Sequence, residues 1–274
     1  MGMLAFRIFV FIAGVVLLCP FSSSAEHITV SGCSVSNSGY LSELAKEYER
    51  KTGQQVFVRG GGSVVGLEDL KTGKVDLAAS CRKRMEGDPS DIKFIQVAWD
   101  ALVFIVNKNN PVEDISLEEI RGIYNGRITS WKSLDGPEMP IKLFASRPQR
   151  GLSGVESSTK ELVLEGRDII KGGNTLSLAS TAIVEQMVEK TPEGIAVSGF
   201  SSARKRDVKM LKINGVKPAK ETITSGRYPF RRPLYVLLPA KSKPAVKKFV
   251  DYILGKEGQR FISSMGVIAL KEVK

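Results

Sequence analysis

Residues 55–79 read QVFVRGGGSVVGLEDLKTGKVDLAA, and their reading decides the fold. A short apolar run, 55–58, stops at Gly60-Gly61-Gly62. Ser63 then opens a segment with Val64, Leu67 and Leu70 on one side, which ends at Gly73, and a second apolar run, 75–79, follows. Strand, glycine turn, helix and strand in this order make a β-α-β unit, with parallel strands and the helix on a sheet face. Upstream, 27–31 reads as another strand. Leu41, Leu44, Ala45 and Tyr48 fall at i, i+3, i+4 and i+7 of a helix that ends near Gly53. The series is βαβαβ, so the chain is of the α/β class.

The alternation continues. Residues 101–107, ALVFIVN, form a buried-type strand that Pro111 stops. Ser116-Leu117-Glu118-Glu119 has the capping-box pattern of a helix start, with Leu117, Ile120 and Tyr124 on the inner side. A strand at 141–144, a helix at 180–190, strands at 194–198 and 234–238, and a helix from Pro244 follow. The two long apolar strands bracket the middle third of the chain. A chain that leaves one unit, builds a second and returns has a cleft between the two, and α/β proteins bind ligands there, at the carboxyl ends of strands.

The first residues are no part of that fold. Arg7, the apolar run 8–18 and the small residues Ser23-Ser24-Ala25 describe a secretory signal peptide over 1–25. Leu18 before Cys19 and Pro20 after it fit lipidation at that cysteine poorly. Export implies a periplasmic location, and no later apolar run reaches membrane length. The formal net charge is +11. Export argues against nucleic acid, and the cations are scattered among acids, as on a solvated surface. Cys33 and Cys81 remain after the leader, and in an oxidising compartment two cysteines suggest one disulfide. Catalysis finds little support. His27 is the only histidine, which removes a histidine-based triad and most zinc sites. No phosphate-loop or dinucleotide fingerprint occurs, so neither metal nor cofactor is expected.

Three loops stand at strand ends, each followed by a helix: 32–37 (GCSVSN), 60–63 (GGGS) and 150–155 (RGLSGV). Each offers hydroxyls, glycines that let backbone approach a ligand, and the free N–H groups of a helix start. Serine is also the ordinary N-cap, so one such loop says little; three at ends of parallel strands point to an anion. Arg147 and Arg150 add guanidinium groups suited to an oxyanion, and Arg82, at the end of the third strand, is a further candidate.

Five stretches carry a family resemblance: 60–80 (GGGSVVGLEDLKTGKVDLAAS), 115–147 (ISLEEIRGIYNGRITSWKSLDGPEMPIKLFASR), 191–203 (TPEGIAVSGFSSA), 211–238 (LKINGVKPAKETITSGRYPFRRPLYVLL) and 249–270 (FVDYILGKEGQRFISSMGVIAL). Nearly the whole exported chain resembles the periplasmic phosphate-binding proteins of ABC importers, which have the two-lobed type II solute-binding fold. The resemblance implies lobe one from 26–104 and 229–274, lobe two from 105–228, and a monomer that hands its anion to an ABC permease in the inner membrane. It implies ligand contacts from Ser34, Ser63, one of Arg147 and Arg150, and Ser153, Gly154 and Val155. Val155 stands where the family has threonine, Cys33 where it often has serine, and Cys81 where it has serine or aspartate. These departures reopen the choice among phosphate, sulfate, molybdate and tungstate. They also admit a sensor or accessory binding module that does not transport, and a phosphate-ester hydrolase. The two cysteines would sit on neighbouring strand ends, where a Cys33–Cys81 disulfide would brace the pocket.

Overall fold

The computed structural model describes residues 27–147, 152–168 and 174–273. The leader over 1–25 and Arg150 lie outside them. The strands are β1 (Ile28–Gly32), β2 (Val56–Gly60), β3 (Leu77–Ser80), β4 (Ile92–Asn107), β5 (Asp114–Ile115), β6 (Lys142–Ser146), β7 (Thr175–Leu178), β8 (Gly194–Gly199), β9 (Val208–Met210), β10 (Lys212–Ile213), β11 (Arg231–Pro239) and β12 (Ile268–Ala269). The helices are α1 (Ser34–Ser36), α2 (Ser42–Thr52), α3 (Ser63–Lys71), α4 (Leu117–Tyr124), α5 (Gly154–Leu162), α6 (Thr181–Lys190), α7 (Phe200–Ala203), α8 (Lys220–Thr224), α9 (Pro244–Leu254) and α10 (Lys256–Ser264). A π-helical stretch, Asn37–Leu41, joins α1 to α2 without a break.

The main strand order is β2-β1-β3-β11-β4-β8-β6-β7. The β1–β2, β1–β3, β6–β7 and β6–β8 pairs are parallel, as the β-α-β reading requires. The strands between them are not: β11 runs antiparallel to β3 and β4, and β4 antiparallel to β8. The sheets are therefore mixed rather than wholly parallel. One strand joins the halves. Residues 92–101 of β4 pair with β11, and residues 102–106 pair with β8. The sequence announces only the second part, because Leu102 to Val106 are fully buried whereas Lys93 is exposed and Gln96 only partly buried.

Local chemistry explains the elements. Gly53 ends α2 in the left-handed conformation (φ 74°), as a C-terminal glycine does. Ser116 and Glu119 form the expected capping box on α4. Pro244 stands in the first turn of α9, where its missing N–H costs nothing. Leu44, Ala45 and Tyr48 are the buried face of α2. Trp131, at the heart of the second half, is fully buried and donates its Nε1–H to Glu193 O at 3.0 Å. Close approach fixes α3 on the sheet: a Cβ on Gly66 would lie 2.5 Å from Gly32 Cα. That contact brings the start of α3 to the ends of β1 and β3.

Candidate functional site

The carboxyl ends of β1, β2 and β3 and the start of α5 meet in one buried region. Ser34, Ser63, Ser153, Gly154 and Val155 are all buried there. A Cβ on Gly154 would come 2.4 Å from Ser63 Oγ and 2.6 Å from Cys81 Sγ, so α5 begins directly against α3 and the end of β3. A Cβ on Gly60 would lie 3.3 Å from Ser34 Oγ, and one on Gly199 would lie 2.3 Å from Val35 Cγ1. The sequence-predicted loops thus come together, although Pro148 to Gly151 lie outside the described residues.

The caps show which donors remain. The first-turn N–H groups of a helix have no partner within that helix. In α1 the Cys33 sulfur accepts from Ser36 N–H at 3.5 Å, which leaves the N–H groups of Ser34 and Val35. In α5 the Ser153 hydroxyl accepts from Glu156 N–H at 3.1 Å, which leaves those of Gly154 and Val155. The Ser153 hydroxyl is thus already engaged as a cap. In α3 the cap is Gly62 (φ 100°), which has no side chain to offer. Ser63 turns its hydroxyl to Cys81 N–H, as acceptor, at 3.1 Å. Three helix starts thus hold N–H groups and positive dipole ends near one point, the arrangement that takes an anion.

The cations are distributed otherwise than the sequence indicates. Arg82 is buried, and its fork grips Asp88 at 2.7 and 2.9 Å. These two donors fasten its own loop, while its buried Nε has no hydrogen-bond partner. Arg147 ends β6 half-buried, its N–H donating to Leu178 O at 2.9 Å, and its charge acts on Glu156 and Asp168. The guanidinium that reaches the assembled loops is Arg232, which the sequence reading did not single out. Arg232 Nη1 donates to Cys81 O and Gly154 O, both at 3.3 Å, and Nη2 donates to Asp100 Oδ2 at 3.0 Å. Asp100 Oδ1 accepts from Ser201 N–H at 2.9 Å. The available signal was two charges inside apolar strands, Asp100 in VAWDALVFIV and Arg232 in FRRPLYVLL.

Cys33 and Cys81 are both buried free thiols, so the bridge expected from the sequence is not formed here. They are nonetheless neighbours. Burial, and then the interaction with Cys81, pushes the Cys33 thiol well above its ordinary range. The hydrogen bond from Cys33 acidifies Cys81, with the Arg232 charge assisting. Ser36 Oγ, Tyr40 Oη and Ser201 Oγ are buried without a hydrogen-bond partner. The Tyr40 phenol, pushed up by its burial, also senses Cys33, Asp100 and Cys81. Among the described residues no cluster of three or more His, Cys, Asp or Glu could hold a metal ion, and no helix is long and apolar enough to cross a membrane.

Known proteins share this arrangement of elements. The phosphate-binding protein PstS of Bacillus subtilis (strain 168) is 28% identical over 251 residues, spanning 90% of this chain and 82% of its own. The protein of the same name from Borreliella burgdorferi is 29% identical over 259 residues, spanning 90% and 91%. A crystal structure with bound phosphate, of a Clostridium perfringens protein assigned as a phosphate ABC transporter substrate-binding protein, matches with a TM-score of 0.79 at 24% identity. It covers 89% of this chain and 100% of that one, a likeness of fold. The architecture is accordingly the two-lobed α/β fold of the periplasmic binding proteins. A family model described as the PBP superfamily domain matches residues 21–257, and the chain belongs to that superfamily.

Proposed function

We propose that this chain is an exported solute-binding protein that captures a tetrahedral oxyanion, phosphate first, and delivers it to an ABC permease in the inner membrane. The observation that carries the reading is the meeting of three helix starts, at Ser34, Ser63 and Gly154, in one buried crevice. An oxyanion leaving water needs many fixed donors in exchange. The N–H groups of Ser34, Val35, Ser63, Val64, Gly154 and Val155 supply them, with the Ser34 and Ser63 hydroxyls. Arg232 contributes positive charge, and Arg147 or Arg150 adds a second guanidinium. Val155 gives its N–H where threonine would add a hydroxyl.

The two halves of the sheet are the two lobes, 26–104 with 229–274 and 105–228, and β4 is the principal connection about which they close. The relatives named for phosphate binding support the ligand class. The chain acts alone, periplasmic after loss of its leader, and without turnover; relatives named for binding support the last. Calorimetric titration with phosphate, sulfate, molybdate and tungstate tests this. Phosphate should bind most tightly, and heat from none of the four anions would overturn the reading.

A further inference from the structure

The geometry points to Cys33 and Cys81 as a modification site: a thiol–disulfide pair whose state sets the anion affinity of the crevice. The inference rests on the anion reading above and adds to it a regulator built from this chain's own residues.

The backbone places the pair correctly. In the parallel β1–β3 ladder Gly32 stands opposite Ala79, and Cys33 N–H donates to Ala79 O at 2.9 Å. Continuing that register sets Cys33 opposite Ser80, one residue short of Cys81. A strand spacing of about 4.8 Å and a rise of about 3.3 Å per residue then put the two Cα atoms roughly 6 Å apart. Disulfides span about 4.4–6.8 Å between Cα atoms. Each cysteine lies near enough to shift the other's acidity, Cys33 upward and Cys81 downward.

The surroundings decide what oxidation would do. Cys81 Sγ lies 3.6 Å from Ser63 Oγ, and Gly154 closes over both. The pair is therefore at the oxyanion position itself. Cys81 is the more acidic of the two thiols, so in the reduced state negative charge builds first at its sulfur, 3.6 Å from Ser63 Oγ, against an anion held there. As a disulfide they carry none. The step balances. Two S–H bonds break and one S–S bond forms; two protons leave to solvent, and two electrons pass to a partner disulfide, which becomes two thiols. Cys33 and Cys81 are 1% and 2% exposed. Exchange with a partner therefore requires that the start of α5 withdraw from Ser63 and Cys81. A bound anion, by holding the crevice shut, protects the thiols.

The test uses the intact protein, reduced with a phosphine or oxidised with oxidised glutathione. Each sample is titrated with inorganic phosphate, and free thiols are counted by alkylation after denaturation. Oxidation should remove two alkylatable thiols and tighten phosphate binding at least tenfold. Saturating phosphate should slow oxidation of the reduced protein at least tenfold. The Cys33→Ser/Cys81→Ser variant should lose any response of its affinity to oxidant; should it not fold, the wild-type comparison still decides. Retention of both thiols, equal affinities in the two states, or tighter binding by the reduced form each overturns the inference and leaves the phosphate reading intact. Absence of phosphate binding in both states overturns the two together.

Discussion

Two of the helix starts that carry a serine, those of α3 and α4, differ in kind. At α4, Ser116 accepts from Glu119 N–H at 3.1 Å, and Glu119 reaches back to Ser116 N–H at 2.7 Å. Its donors are satisfied locally and the end is closed. At α3, Gly62 takes the cap position and Ser63 stands inside the helix, with its hydroxyl turned to the β3 end. The α3 start is also deeper: Ser63 is 1% exposed, whereas Ser116 is only half-buried. Buried helix starts ordinarily have their N–H groups satisfied. A buried start that lacks a side-chain cap keeps its donors for another partner, and on the proposed function the difference separates a serine that builds from a serine that binds.

The sharpest way to break this comparison is to disturb what holds the open ends together. Asp100→Ala leaves Arg232 buried without its counter-ion and should cost roughly 3–5 kcal/mol, measured by denaturant unfolding. A loss under about 1 kcal/mol would mean that Arg232 is not tied to the crevice as described. Glu156, in the first turn of α5, comes next. Burial pushes its carboxyl from 4.5 up to about 7, against the Ser146 N–H that favours the charged form. The folded protein then keeps a proton that the unfolded chain loses. That stability is complete below 4.5 and declines as the pH rises to about 7. Glu156→Gln keeps the acceptor oxygen and should abolish the decline, on the order of 3 kcal/mol, in unfolding measured at both ends of that window.

Smaller effects sharpen the contrast. Gly154→Ala drives a methyl against Ser63 Oγ and Cys81 Sγ, and overpacking of this kind costs about 1–3 kcal/mol. Phosphate affinity should fall at least tenfold with the fold retained; unchanged affinity would show that α5 does not face the ligand. Least of all, Ser116→Ala should cost about 1 kcal/mol of stability and leave phosphate binding alone. Ser63→Ala should weaken phosphate binding and, by leaving the buried Cys81 N–H without its acceptor, should also cost about 1–3 kcal/mol of stability. If both variants behave alike in calorimetry and thermal unfolding, the two beginnings are not different in kind.

Most of the fold was legible in the sequence because it rests on periodicity. The α2 face, the Gly53 stop, the capping box at Ser116 and the buried run in 101–107 all report their surroundings one residue at a time. The first half of β4 was not legible: Lys93 is exposed and Gln96 only partly buried, and the two polar residues dilute the apolar signal. The loops of the site were legible as glycine and serine clusters at strand ends. Which cation serves them was not, because Arg232 is defined by partners 78, 132 and 151 residues away. Arg82 looked equally apt, and only the position of Asp88 shows that its fork is already occupied.

One feature of the connection bears on how such a crevice opens. β4 keeps its ladder on both sides of the Ala101–Leu102 junction, and Leu102 N–H donates to Phe230 O, just before β11, at 3.1 Å. Phe230 itself holds a left-handed backbone (φ 68°), costly for any residue that carries a Cβ. A ribbon gripped at both ends behaves as a torsion spring. Turning one half against the other would wind that ribbon beside a phenylalanine whose backbone is already costly, so twisting the halves is opposed by the chain that joins them.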